Sequence, residues 1–268
     1  MAEVRAADFP YFDAPTPVGL AHRGGAKLPA NLDRENTMAA FREAVRMGYR
    51  YLETDVHATV DAHLLAFHDL RLDRVTDLTG RIAELPWATV RQARVNGTEP
   101  IPLLSELLEE FPDARINIDV KAPGAIAPLA EVIRAHGALE RVCVGSFSDR
   151  RLRAVRRLLG PGLATAAGPS EVFSMRLAPA RLAALLRAPA AVLQVPSGYV
   201  TRKGRRFDLV TPALVERVHA MAKHVHVWTI DDAVEMHRLF DLGVDGIVSD
   251  RIDTLAQVLA ERGVPLGQ

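Results

Sequence analysis

Eight short apolar runs, each bounded by turn-forming residues, alternate with amphipathic segments along the chain, and few folds accommodate that rhythm. The runs are Val18–Ala21, Tyr51–Val56, Ile116–Val120, Val142–Gly145, Leu163–Ala166, Ala191–Val195, Val225–Trp228 and Gly246–Ser249. Helical patterns lie between most of them. Met38–Met47 opens after Asn36-Thr37 as a cap and stops at Gly48. Leu103–Phe111, Pro128–His136, Arg150–Leu159, Pro179–Arg187, Pro212–Met221, Asp232–Phe240 and Thr254–Glu261 read the same way. Strand followed by helix throughout predicts a parallel sheet closed on itself, a TIM-type (β/α)8 barrel. The chain has 268 residues, a common size for one such barrel, so residues 1–268 read as a single domain.

One run is left over. Leu64–His68 begins only seven residues after Val56, and a parallel crossover needs about a dozen, so it must return antiparallel as a hairpin arm. A two-residue turn at Asp61-Ala62 makes partner numbers sum to 123 and sets His68 opposite Asp55. The stretch Asp69–Pro102 then reads as an insertion over the barrel mouth.

Composition removes several classes of function. Lys+Arg 33 against Asp+Glu 33 leaves no basic excess, so no nucleic-acid partner is expected. The longest apolar runs are cut by Arg187, Pro189 or Pro196, so no membrane span is expected either. Met1–Pro17 carries Glu3, Arg5, Asp8 and Asp13 and has no apolar core of a secretory signal. With the single Cys143 in an apolar run, this points to a reducing, cytoplasmic location. The arginines of 150–157 and the basic stretch 202–206 read as solvated faces. Oligomeric state is left open.

The chemistry gathers at strand ends. Alternation puts Glu53 and Asp55 on one face of the second strand, and Asn117, Asp119 and Lys121 on one face of the third. In a barrel, the polar C-terminal ends of strands point into the mouth, where active sites form. His22-Arg23-Gly24-Gly25 ends the first strand, and Phe67-His68-Asp69 ends the hairpin. A lone strand-end carboxylate is usually a turn former, and a lone histidine usually a satisfied buried imidazole. Together they supply oxygen ligands for a hard cation, a proton donor and acceptor, and cations for phosphoryl oxygens. Three converging carboxylates would repel unless a divalent cation neutralised them. Trp228, closing the seventh strand, is either core or a substrate wall.

These motifs resemble the glycerophosphodiester phosphodiesterase family from about Val18 to Leu259. The opening elements are His22-Arg23-Gly24 and Glu35-Asn36-Thr37, followed by Glu53-Thr54-Asp55-Val56 and His68-Asp69. Leu72-Asp73-Arg74, Thr79-Gly80 and Ile101-Pro102-Leu103 match within the insertion; Ser146-Phe147, Val227-Trp228-Thr229 and Asp245-Gly246-Ile247 match later. The resemblance implies one divalent cation, Mg²⁺ or Ca²⁺ with Mn²⁺ also suited, held by Glu53, Asp55 and Asp119. It implies His22 and His68 as the acid–base pair, Arg23 and Lys121 on phosphate oxygens, and Glu35 in support of the first loop. The implied substrate is a small glycerophosphodiester, cleaved to sn-glycerol 3-phosphate and an alcohol.

Three positions depart from the family pattern. Asp119 stands where a longer glutamate is usual, nine residues separate Gly25 from Glu35 with Arg34 in place of a proline, and Asp250-Arg251-Ile252 lacks a following proline. The aspartate is shared with sphingomyelinase-D-like phospholipases of the same barrel, so a lyase releasing a cyclic phosphate is the second reading. A catalytically silent phosphate-binding barrel is a third, against which the full complement of histidines and carboxylates argues. A Schiff-base enzyme using Lys121 is disfavoured by the neighbouring carboxylates, which would raise its pKa.

Overall fold

The structure, a computed structural model, describes residues 4–177, 188–200 and 204–266. The helix expected at Pro179–Arg187, and Arg202 and Lys203 of the basic stretch, lie outside the described residues.

The barrel strands, numbered along the chain, are β1 (Val18–His22), β2 (Tyr51–Ala58), β3 (Arg115–Val120), β4 (Val142–Gly145), β5 (Ala164–Thr165), β6 (Val192–Pro196), β7 (His224–Trp228) and β8 (Gly246–Ser249). They pair in parallel in the order β5-β4-β3-β2-β1-β8-β7-β6. The ring closes where Ala166 bridges Val192, with Ala167 N–H donating to the Val192 carbonyl at 2.8 Å. This is the barrel expected from the strand–helix rhythm. Helices start and stop where local chemistry directs. Thr37 Oγ1 accepts from Ala40 N–H at 3.2 Å to open Met38–Arg46, and Gly48 ends that turn at a φ of 98° that favours glycine.

Alternation sorts the side chains of β2 and β3. Leu52, Val56, Ile116, Ile118 and Val120 face outward into the layer between strands and helices. Tyr51, Glu53 and Asp55 face inward, as do Asn117 and Asp119, so the barrel interior changes from apolar at the strands' N-terminal ends to charged at their C-terminal ends. The N-terminal end is stoppered by Phe9, Tyr11 and Phe12, which pack with Leu20, Tyr51 and Val192 in a core of their own.

The hairpin differs from the sequence reading by one residue. Val56 pairs with Ala66 and Ala58 with Leu64, so partners sum to 122. Phe67, not His68, lies opposite Asp55, and its N–H donates to the Asp55 carbonyl at 2.8 Å. The cause is the loop: Val60-Asp61-Ala62 forms a three-residue turn between Thr59 and His63, with Ala62 in the left-handed region at φ 67°. Beyond it, residues 69–102 carry a small core, with Leu72, Ile82, Val90 and Ile101 packed on Leu65 and Phe67.

After β5 comes an element that the sequence rhythm does not mark. It is the helix Pro169–Leu177. Its apolar residues Val172, Phe173, Met175 and Leu177 spread around the axis, so no one-sided stripe marks it in the sequence. Anchors hold it instead: Asp149 accepts from Ser170 N–H at 3.2 Å, and Arg156 grips Glu171 at 2.9 Å. Arg156 and Arg151 therefore turn inward, the latter onto Ser146 Oγ at 2.8 Å, and are not part of a solvated face. No helix among the described residues is long and apolar enough to cross a membrane.

Candidate active site

At the C-terminal end of the barrel, a cavity of about 590 Å³ is lined by His22, Arg23, Glu53, Asp55, His68, Asp119, Lys121 and Trp228, among others. Of the residues singled out in the sequence, Glu35 alone stands behind the wall, where it accepts from Arg23 at 3.1 Å and from Arg74 at 2.6 Å. Register explains the gathering: Asp55 pairs directly with Asp119 across β2 and β3, and His22 with Glu53 across β1 and β2.

Both histidines are oriented by carboxylates. His22 Nδ1 lies 2.6 Å from Asp250 Oδ1, and His68 Nδ1 lies 2.6 Å from Asp69 Oδ1. A carboxylate accepts only, so each Nδ1 carries the proton and each Nε2 is the nitrogen left for chemistry. His22 Nε2 lies 3.7 Å from Glu53 Oε2. Burial disfavours the His22 imidazolium, but the Glu53 and Asp250 carboxylates outweigh it and raise the pKa. The motifs contain both Asp69 and Asp250, but the sequence assigns neither a role. Asp69 adjoins its histidine there; Asp250 is legible only once β8 is known to lie beside β1.

The carboxylates are held by cations of the chain itself. Lys121 Nζ lies 2.8 Å from Asp55 Oδ1 and 2.7 Å from Asp119 Oδ2, and Arg23 Nε lies 3.1 Å from Asp55 Oδ2. Burial would raise the Asp55 pKa, yet Lys121 and Arg23 bring it below the ordinary value. Glu53 is different: burial, reinforced by the Asp55 charge, pushes it up to about 7. Asn36, which donates to Asp55 at 3.3 Å, accepts from Thr54 Oγ1 at 2.7 Å and ties the Glu35-Asn36-Thr37 loop to β2.

Among the described residues, no three His, Cys, Asp or Glu are already drawn together at metal-holding distances. The donor chemistry nevertheless suits a hard cation. Asp119 Oδ1 is buried without a hydrogen-bond partner, and Glu53 is held at a pKa that a nearby cation would lower. Phe147 packs edge-on to Trp228 at 5.6 Å and lies 5.6 Å from Lys121 Nζ, and Trp228 both lines the cavity and packs against the lower core.

A parallel eight-stranded barrel with paired histidines and carboxylates at its mouth defines a class, that of the (β/α)8-barrel enzymes. Residues 22–254 match the model of the glycerophosphoryl diester phosphodiesterase family. The chain is 40% identical to probable glycerophosphodiester phosphodiesterase 2 of Mycobacterium tuberculosis over 92% of each chain. It is 30% identical to a glycerophosphodiester phosphodiesterase of Caldanaerobacter subterraneus, over 91% of this chain and 98% of that one. In fold it is similar to a phosphodiesterase of Oleispira antarctica in complex with the product sn-glycerol-3-phosphate. That match has a TM-score of 0.74 and 24% identity, and covers 91% of this chain and 97% of that one. The chain belongs to the glycerophosphoryl diester phosphodiesterase family, and is an enzyme of that phosphodiesterase class.

Proposed function

We propose that the protein hydrolyses small glycerophosphodiesters to sn-glycerol 3-phosphate and an alcohol, with His22 and His68 as the acid–base pair. The observation that carries this is the matched orientation of the two rings, each with Nδ1 fixed by a carboxylate at 2.6 Å in one cavity. One histidine accepts the proton of the glycerol 2-hydroxyl as its oxygen attacks phosphorus. The other donates a proton to the departing alcohol oxygen. Water then opens the cyclic phosphate by the reverse use of the same pair. The similar barrel that holds sn-glycerol-3-phosphate supports the product side.

Glu53, Asp55 and Asp119 would hold one divalent cation, Mg²⁺ or Ca²⁺ with Mn²⁺ also suited, because hard oxygen donors select hard cations. Such an ion would supply charge for the phosphoryl oxygens. Lys121 and Arg23, now paired to the carboxylates, are the cations nearest the phosphoryl position, with Glu35 fixing Arg23. Residues 1–268 act as one barrel domain including the 69–102 insertion, and the protein works in the cytoplasm.

The test is sn-glycero-3-phosphocholine with purified, metal-loaded protein, followed by phosphorus NMR. Linear sn-glycerol 3-phosphate is the expected end product. Cyclic phosphate that persists at full consumption would assign the lyase reading.

A further inference from the structure

The carboxylate behind His22 is itself held from behind. Asp250 follows β8, and its Oδ1 faces His22 Nδ1 at 2.6 Å. Its other oxygen, Oδ2, lies 3.5 Å from Lys27 Nζ. That ammonium is shared, because Lys27 Nζ also donates to Asp231 Oδ2 at 2.7 Å. Asp231 comes shortly after β7, and its Oδ1 accepts three hydrogen bonds from the end of β8. The donors are Ser249 Oγ at 3.0 Å, Asp250 N–H at 2.9 Å and Arg251 N–H at 3.2 Å. Lys27 and Asp231 stand outside the cavity wall formed by the described residues, so they reach the site only through Asp250.

The backbone closes the same circuit. Lys27 N–H donates to the Asp250 carbonyl at 3.0 Å, and Gly25 N–H to the His22 carbonyl at 2.8 Å. Gly25, at φ 87°, lies so close to the last helix that a Cβ there would meet Ile252 at 2.5 Å. The loop after β1 is thereby kept against the end of β8, with Lys27 in reach of both carboxylates. Asp231 and Asp250 bring two negative charges together, and one cation between them offsets the repulsion. Burial would raise the Asp231 pKa, yet the Lys27 and Ser249 contacts bring it below the ordinary value, so it is a carboxylate at neutral pH. The other histidine follows the same plan: Asp69 gives Oδ1 to His68 and Oδ2 to Arg74.

We infer that Lys27 and Asp231 are positioning residues for the reaction, fixing which oxygen of Asp250 faces His22 and so holding the ring with Nε2 toward the substrate. The inference rests on the phosphodiesterase reading for what His22 then does. Asp231 pins the backbone on which Asp250 stands, and Lys27 occupies Oδ2. Asp250 is left one oxygen for the ring and one orientation in which to present it. Without either support the carboxylate turns toward solvent, and the imidazole loses the contact that fixes its tautomer and direction.

Two measurements test this. In the first, kcat and KM for glycerophosphocholine are read on Mg²⁺-loaded protein, in the wild-type and Asp250→Asn backgrounds. Lys27→Met should lower kcat by about two- to fivefold with KM held, a size suited to an ammonium whose side chain is 58% exposed, and Lys27→Arg should regain most of it. Asp231→Asn keeps an acceptor for β8 but releases Lys27, and should match Lys27→Met. Asp231→Ala removes the acceptor of three hydrogen bonds and should lower kcat by about ten- to hundredfold. In Asp250→Asn each of these losses should shrink to about twofold or less, because the group they act through is already changed. Undiminished losses in that background overturn the inference, as does a rise in KM with kcat held. The second measurement needs no turnover. The downfield Nδ1 proton of His22, assigned by its disappearance in His22→Gln, should exchange faster in Lys27→Met and Asp231→Asn, with the His68 Nδ1 proton unmoved. That result sustains the positioning role even if every glycerophosphodiester proves inert, and in that case only the catalytic reading falls. A His22 proton that is unchanged in both variants overturns the inference.

Discussion

The two ends of the barrel treat the same residue type in opposite ways. At the mouth, His22 and His68 each meet a carboxylate at 2.6 Å. At the stoppered end, His226 is fully buried beside Phe12, with neither ring nitrogen partnered among the described residues. Burial, with His224 beside it adding to the effect, pushes the His226 pKa down to about 3 and keeps that ring neutral. At His22, two carboxylates overcome the same penalty and raise the pKa. Function therefore follows the partner and not the residue: an imidazole without an acceptor is packing, and one with it can move protons. Gly246 shows how closely the lower ring is packed, because a Cβ there would meet the His226 ring at 2.8 Å.

The largest way to break this comparison is to remove what the mouth is proposed to bind. Chelation followed by gel filtration should bring turnover to background, and Mg²⁺ or Ca²⁺ should restore it, since oxygen donors hold such ions exchangeably. Full activity in chelated protein would end the metal assignment. Next come the histidines. His22→Ala and His68→Ala should each lower kcat by about 10²–10⁴-fold with melting unchanged. A loss under tenfold in either would remove that residue from the mechanism.

The carboxylates behind the rings come third. Asp250→Asn should lower kcat by roughly ten- to hundredfold, the kinetic equivalent of ~1.5–3 kcal/mol for a hydrogen bond to a charged group. It should also move the His22 limb of the pH–rate profile to lower pH, because a charge that raised the pKa is gone. Asp69→Asn should cost less. Its pair is more open to solvent, with His68 at 33% against 14% for His22, and Asp69 is shared with Arg74 at 2.5 Å. Equal effects of the two substitutions would show that burial does not set the strength of these contacts.

The mouth was largely legible in the sequence and the stopper was not, for a physical reason. Period-two alternation is a strong signal, and it alone puts Glu53 with Asp55, and Asp119 with Lys121, on shared strand faces. His22 and His68 announced themselves by following strands. Contacts made by ring closure have no local signal: Asp250 reaches His22 only because β8 returns beside β1. The hairpin slipped by one residue because Ala62 adopts a left-handed conformation that side chains other than Asn, Asp and Gly seldom signal. The helix 169–177 escaped because its apolar residues serve two surfaces, so no stripe appears. Phe9, Tyr11 and Phe12 lie in a stretch whose charges say only that it is no secretory signal, although they plug the barrel.

The smallest effect sharpens the comparison most, since the two ends should respond to acid with opposite sign. His226 has a folded pKa near 3, below its ordinary 6.5. Between those values the unfolded chain holds the extra proton, so this ring makes stability fall as pH falls, by up to roughly 5 kcal/mol across the window. Glu53 is pushed up from 4.5 to about 7. Between those values the folded, metal-free protein holds the extra proton, so this carboxyl makes stability rise as pH falls, by roughly 3 kcal/mol. The contributions oppose where the windows overlap, between about pH 4.5 and 6.5, and wild-type stability should change little there. Substitution separates them. His226→Leu keeps an apolar group of similar size against Phe12, with a neutral-pH change under about 1.5 kcal/mol. Its metal-free urea midpoint should then rise on acidification, with the Glu53 effect unopposed. Glu53→Gln should do the reverse, its midpoint falling through the same range. If both variants keep the flat wild-type profile, the contrast between the carboxylate-lined mouth and the partnerless lower ring is not what governs protonation in this barrel.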